Sequence, residues 1–334
     1  MILSSIYLAI TSIRNWMFDR QWLEERTFQT PTICIGNLAV GGTGKTPHTE
    51  LFVEWLLENG LHTATLSRGY GRKTKGYHEV KAGNTAEEVG DEPLQMFTHF
   101  EGKVPVTVCE DRRKGIEQIE AGLHPDVIIL DDAFQHRYVK PTVRILLTDY
   151  ARLYCDDSLL PYGRLRESRK GARRADIIIV TKCPSALTTE ESEKIVSKLH
   201  PLRQQKVYFS TIDYIPISIE SPVVLITGIA QPKHLLEQLQ REGIVVQKHL
   251  SFPDHHAFTA KELKCIEEAG QQGTTLLTTA KDFSRLQSSS LSPETIQKIK
   301  IQQISPRILF GVENDLKQTI INHVRKNTRN CSVD

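Results

Sequence analysis

Short apolar runs rich in β-branched residues recur along the chain, separated by stretches of helix length. Residues 31–35 form a buried-strand pattern running into a glycine turn, and 48–60 (HTELFVEWLLENG) have helical apolar spacing closed by Gly60. Further strand patterns follow at 62–67, 104–111, 125–132, 143–149 and 175–182. Such runs alternating with helices predict a mostly parallel sheet covered on both faces.

The second half repeats the theme on a smaller scale. Residues 221–243 read as strand, glycine turn and helix; 244–259 as a strand and a histidine-rich loop; 273–286 as a strand ending in Thr-Ala-Lys-Asp; 306–311 as a late strand. The segment 210–222 carries little helical pattern, so a lobe boundary is expected there. The expected organisation is an N-terminal helix at 1–25, a nucleotide-binding core at 26–215, a smaller α/β lobe at 216–325 and a frayed tail at 326–334.

In the first 22 residues, Ile2, Ile6, Ala9, Ile13, Trp16 and Met17 form an apolar stripe opposite Arg14, Asp19 and Arg20. No span there approaches the roughly 20 apolar residues of a transmembrane helix, and the flanks are poor for a signal peptide. The pattern fits a helix docked on the protein's own core or one lying in a membrane interface.

Composition narrows the field. The chain has 334 residues and 39% hydrophobic content, which excludes fibrous and disordered classes. With 42 Lys and Arg against 40 Asp and Glu, nothing global calls for nucleic acid. The six cysteines are scattered without zinc-ligand spacing, the pattern of reduced thiols in a cytosolic compartment.

The candidate chemistry begins at GNLAVGGTGKTP, residues 36–47. A P-loop requires G-x-x-x-x-G-K-[ST] between a strand and a helix, because its amides must converge on phosphate oxygens. Here Gly44-Lys45-Thr46 is intact, while Ala39 stands at the first glycine position. Gly41 and Gly42 can still supply the anion-facing curve, Lys45 can reach the β- and γ-phosphates, and Thr46 can ligate Mg²⁺. A carboxylate on a neighbouring strand is also needed, and Asp131 and Asp132 emerge from the apolar run 127–130.

Three constellations compete for the acceptor side. In GDEP, Asp91 and Glu92 precede a helical run, where an N-cap role competes with a catalytic one. In FPDHHAFT, Asp254, His255 and His256 share one turn, where imidazole beside carboxylate makes an oriented base. In PYGRLRES at 161–168, together with Arg68, Arg72, Arg112 and Arg113, arginine forks suit phosphate groups.

Taken in order, GNLAVGGTGKTP, SRGYGR, GDEP, DDAFQHR, LLPYGRLRE, FPDHHAFT and TTAKD resemble the tetraacyldisaccharide 4'-kinase family of lipid A biosynthesis. The resemblance implies ATP- and Mg²⁺-dependent phosphorylation of the 4'-hydroxyl of a tetraacylated glucosamine disaccharide 1-phosphate. It also implies a P-loop core with a smaller C-terminal substructure, and an N-terminal helix on the cytoplasmic face of the bacterial inner membrane. No nucleic acid and no obligate protein partner is expected.

Carried over by position, the phosphate loop falls on Ala39, Val40, Gly41, Gly42, Thr43, Gly44, Lys45 and Thr46. The resemblance makes Asp91 the catalytic base with His255 as its partner, and Lys45 and Asp132 catalytic. It puts the metal on Thr46, Glu92 and Asp131. The chain departs from the common family pattern at Ala39, Ala133, Ser168 and Ala280, the last removing a carboxylate from a TTEKD-like motif but leaving Lys281 and Asp282. Two rival readings are a kinase of soluble small molecules and a nucleotide-gated binding module.

Overall fold

The computed structural model describes residues 2–219, 222–229, 232–254, 256, 258–271 and 274–330. The strands are β1 (Thr32–Asn37), β2 (Thr63–Ser67), β3 (His78–Glu79), β4 (Val106–Val108), β5 (Val127–Leu130), β6 (Val143–Asp149), β7 (Ile177–Thr181), β8 (Lys206–Tyr214), β9 (Val223–Thr227), β10 (Val246–Ser251), β11 (Thr275–Thr279), β12 (Ile299–Gln302) and β13 (Ile304–Ile308). The helices are α1 (Ile2–Asp19), α2 (Lys45–Glu58), α3 (Ala86–Val89), α4 (Asp91–His99), α5 (Arg112–Gly122), α6 (Thr189–Leu199), α7 (Lys233–Arg241), α8 (Ala260–Gln271), α9 (Ala280–Gln287), α10 (Pro293–Lys298) and α11 (Glu313–Asn330).

Strands β1, β5, β6 and β7 are apolar on both faces, so only a sheet covered on both sides can bury them. Their side chains alternate between two cores. Ile33, Ile35, Val127, Ile129, Ile145 and Ile177 join one with α2 and α11; Cys34, Ile128, Leu130, Leu146 and Ile178 join the other with α5. The large sheet runs β13-β8-β7-β6-β1-β5-β2-β4-β3, parallel except for the edge pairs β13–β8 and β3–β4. Strand β1 therefore lies between β5 and β6, which brings the loop after β1 beside the carboxylates that end β5.

A second, all-parallel sheet runs β10-β9-β11-β12, with its own cores around Val224 and Ile226 on one face and Val223 and Leu225 on the other. This smaller lobe is inserted between β8 and β13, which are neighbours in the large sheet. The expected boundary segment begins inside strand β8, which belongs to the large sheet. Residues 304–330, expected in the smaller lobe and the tail, build onto the large sheet instead. The reason is local: β13 closes the edge of β8, and α11 buries Leu316, Ile320, Ile321 and Val324, a helical stripe, in the large core. Residues 326–330 are helical, and 331–334 lie outside the described residues.

Helix α1 docks on the core through one side. The Tyr7 hydroxyl donates to the Arg166 carbonyl at 2.8 Å, Asn15 donates to Glu167 at 2.8 Å, and Arg137 pairs with Asp19 at 2.8 Å. Phe18 is buried, whereas Ile10 (63%), Ile13 (58%), Trp16 (44%) and, just beyond, Trp22 (69%) are exposed. The docked alternative thus holds for one side of the helix, and the other side leaves apolar side chains exposed. Among the described residues no helix is long and apolar enough to cross a membrane.

Candidate active site

The loop from β1 to α2 is built to turn tightly. Gly41 and Gly44 have φ of 106° and 79°, conformations that side chains rarely adopt. Gly44 precedes α2, whose first-turn amides at Lys45 and Thr46 have no intrahelical partners and form an anion-binding end. Upstream, the loop is fixed to the protein: Val40 donates its amide to the Arg164 carbonyl at 2.7 Å, and Ala39 bridges Leu165. The Thr43 amide donates to the Gly41 carbonyl at 3.1 Å. The amides that can face a phosphate are therefore concentrated at the downstream half of the expected stretch, Ala39–Thr46.

Several polar groups, most of them buried, hold this turn. Asn37 donates to the Thr43 hydroxyl at 2.8 Å, Thr181 donates its hydroxyl to the Thr43 carbonyl at 2.9 Å, and Lys182 donates to the Gly42 carbonyl while pairing with Asp149 at 3.0 Å. His48 lies 2.7 Å from the Gly44 carbonyl through Nδ1 and 2.9 Å from the Ser210 hydroxyl through Nε2. A carbonyl only accepts, so Nδ1 carries the proton and Nε2 accepts from Ser210. Burial pushes the His48 pKa down to about 4, against the Gly44 bond that favours the charged form.

Asp131 and Asp132 leave β5 beside this loop. Asp131 is buried and accepts from the Thr49 hydroxyl at 3.2 Å, a helix residue one turn beyond Thr46. Burial, then the charges of Glu92 and Asp132, push its pKa up to about 7, opposed by Lys45. Asp132 lies 3.9 Å from Lys45 and is gripped by Arg166 at 3.0 Å through both oxygens. The neighbouring carboxylates of Asp131 and Asp132 share the Lys45 ammonium, and oxygen donors of this kind suit a hard divalent cation. Among the described residues no group of three or more His, Cys, Asp or Glu forms a cage by itself. Mg²⁺ commonly takes only one or two carboxylates and completes its shell with phosphate and water oxygens.

The acceptor-side constellations each hold partners of their own. Asp91 opens α4 and lies 3.0 Å from Nε of Arg285, a buried arginine of α9 in the smaller lobe. Of the arginine cluster, Arg166 reaches the carboxylates and Arg112 is buried nearby, whereas Arg72 pairs with Glu110 at 2.8 Å and Arg113 with Asp111 at 2.9 Å. In the histidine loop, Asp254 pairs with Lys281 at 2.8 Å, and His256 pairs with Glu262 at 2.9 Å while stacking on Phe252. His255 lies outside the described residues.

Sequence reasoning missed Arg285, His48 and Thr49. Arg285 follows the TTAKD motif at a helical i, i+3 spacing from Asp282, which was the available signal.

A phosphate-binding turn at the head of a central parallel strand, a Lys-Thr pair beside strand-end carboxylates and a second lobe over that end define a P-loop kinase. The model of the tetraacyldisaccharide-1-P 4'-kinase family matches residues 1–325. The tetraacyldisaccharide 4'-kinase of Bacteroides thetaiotaomicron is 43% identical over 98% of this chain and 93% of its own length; that of Flavobacterium johnsoniae is 44% identical over 86% of each. The crystal structure of LpxK from Aquifex aeolicus in complex with ATP superposes with a TM-score of 0.76 at 30% identity, covering 96% of this chain and 97% of that one. The chain belongs to the tetraacyldisaccharide 4'-kinase family.

Proposed function

We infer that the protein transfers the γ-phosphoryl group of ATP to the 4'-hydroxyl of a tetraacylated glucosamine disaccharide 1-phosphate, in lipid A biosynthesis. The observation that carries this reading is the pairing of a complete Gly44-Lys45-Thr46 turn with Asp91 at the junction of two lobes, in a chain of this family.

On this reading the first-turn amides of α2 and the Gly41–Gly42 curve hold the phosphates, and Lys45 bridges the β- and γ-groups. Thr46, Asp131 and Glu92 would hold Mg²⁺, which would neutralise charge on the phosphates. Asp91, with His255 as its partner, orients the sugar hydroxyl and receives its proton. The new O–P bond forms at the 4'-oxygen, the bond to the β-phosphate oxygen breaks, and ADP leaves. Asp132, fixed by Arg166, keeps Lys45 positioned between nucleotide and acceptor. Most of the acceleration comes from positioning and electrostatics rather than covalent chemistry.

The exposed apolar side of α1, with Trp16 and Trp22 in edge-to-face contact at 4.9 Å, suits the interfacial zone of a membrane, and Arg20 lies over the Trp16 ring. We propose peripheral binding to the cytoplasmic face of the inner membrane, where the acyl chains of the acceptor stay in lipid while its sugar enters the site.

Radiolabelled ATP offered with lipid disaccharide 1-phosphate and with soluble sugars and nucleosides tests the reading. Label transfer to the lipid acceptor in detergent or vesicles is expected. Transfer to a soluble acceptor with no response to lipid would favour the small-molecule kinase, and phosphate release without transfer would favour the gated module.

A further inference from the structure

The smaller lobe delivers one buried cation to the acceptor side. Arg285 lies on the inner face of α9, which packs against α4 across the lobe junction, and only 8% of it is exposed. Its Nε is 3.0 Å from Asp91 Oδ2 and its Nη1 is 3.3 Å from Asp282 Oδ1. One guanidinium therefore spans a carboxylate of each lobe.

The Asp282 end of this bridge is rigid. Its Oδ2 accepts from the Gly228 amide at 2.9 Å and from the Thr279 hydroxyl at 2.8 Å, and its own amide donates to that hydroxyl at 3.2 Å, closing the N-cap of α9. Asp282 is fully buried, so Oδ1 has little freedom beyond facing Arg285. A Cβ on Gly228 would fall 2.9 Å from Asp282 Oδ1 and 3.2 Å from Arg285 Nη1, so the glycine leaves room for the pair. Burying a guanidinium is unfavourable unless carboxylates face it, and here one of the two belongs to the other lobe.

We propose that Arg285, anchored on Asp282, is a positioning residue that orients the Asp91 carboxylate and ties the smaller lobe to the core at that point. The proposal rests on the reading of Asp91 as the group that meets the acceptor hydroxyl. An arginine contact on Asp91 is compatible with that role, because a loose phosphoryl-transfer transition state requires orientation of the hydroxyl more than a strong base. The contacts are ion pairs rather than hydrogen bonds, and lysine could supply the charge but not the span, since the extended guanidinium places Nε and Nη1 beside two carboxylates at once.

The test is a double-mutant cycle on the full-length enzyme with ATP and lipid disaccharide 1-phosphate. Arg285→Met should lower kcat by about 100-fold, the order expected for a misplaced reacting group, with the KM for ATP within about threefold. Asp282→Asn should give a loss of the same kind, and Arg285→Lys a smaller one. On an Asp91→Asn background, Arg285→Met should cost less than about threefold more, because the group it orients is already disabled. Multiplying effects, or a loss confined to the KM for ATP, would overturn the proposal. If Arg285→Met fails to fold, Asp282→Asn and Arg285→Lys carry the same cycle, and full additivity in either overturns it. Near-normal turnover by Asp91→Asn alone would instead remove the reading of Asp91, a result visible without any change at Arg285.

Discussion

Replacing His48 by asparagine probes how the phosphate loop is braced. The asparagine amide can still donate to the Gly44 carbonyl from the place of Nδ1, but nothing then accepts from the Ser210 hydroxyl. At pH 7.5 an orphaned buried hydroxyl should cost about 1–3 kcal/mol. The pH dependence is more diagnostic. The native pKa of His48 is depressed to about 4, because the imidazole is buried, whereas an unfolded histidine titrates near 6.5. Above pH 6.5 the ring is neutral in both states and adds no pH term. As pH falls through 6.5, only the unfolded chain takes up the proton, so the native state loses about 2 kcal/mol by pH 5 and about 3 kcal/mol by pH 4. The substituted asparagine does not titrate, so the gap between wild type and variant should close by about 2 kcal/mol between pH 7.5 and pH 5. Other titrating groups, including His136 with its pKa also near 4, are common to both proteins and cancel. Urea unfolding followed by tryptophan fluorescence reports on the correct lobe, since Trp16, Trp22 and Trp55 all precede the inserted lobe. An equal gap at the two pH values would refute the neutral, buried imidazole and the brace built on it.

Other outcomes follow from the same geometry. Gly36→Ala would place a Cβ 2.6 Å from Phe134 Cβ, and this overpacking should lower stability by about 1–3 kcal/mol and raise the KM for ATP, read by thermal melts and initial rates. Lys182→Met removes a half-exposed ammonium that ties Asp149 to the Gly42 carbonyl; discounted for solvent, the loss should be about three- to tenfold in ATP affinity, with kcat little changed. Trp16→Ala with Trp22→Ala should weaken binding to anionic vesicles by at least about tenfold, at about 1.5–3 kcal/mol for each large apolar side chain that enters lipid, and leave ATP affinity unchanged in a nucleotide-binding assay.

Much of the large sheet could be read from the chain because its central strands are apolar on both faces, and that pattern has few other solutions. The strands at 32–37, 127–130, 143–149 and 177–181 fall where the apolar runs lie. Strand β8 was harder, because half of it is exposed or half-buried and its partner β13 lies about ninety residues on. The same non-local pairing returns 304–330 to the core, which no local pattern announces. At the site, Lys45 stood out through its Gly-Lys-Thr turn and Asp131 and Asp132 through the end of the apolar run 127–130, whereas Asp91 owed its role to the GDEP motif and the family resemblance. Arg285 and His48 did not, since each sits inside a helix and acquires its role from a contact in another part of the chain.

If Asp91 meets the acceptor hydroxyl while the loop at Gly44–Thr46 holds the nucleotide, the two functions must separate in a single turnover. Transfer from labelled ATP to lipid disaccharide 1-phosphate, with Asp91→Asn measured beside the wild type, shows whether they do. The chemical step should slow by about 10²- to 10⁴-fold, the range for losing a general acid–base group, with the Kd for ATP changed by less than about threefold. A variant that transfers phosphate at the wild-type rate, or one whose defect lies wholly in ATP binding, would contradict the assignment of Asp91.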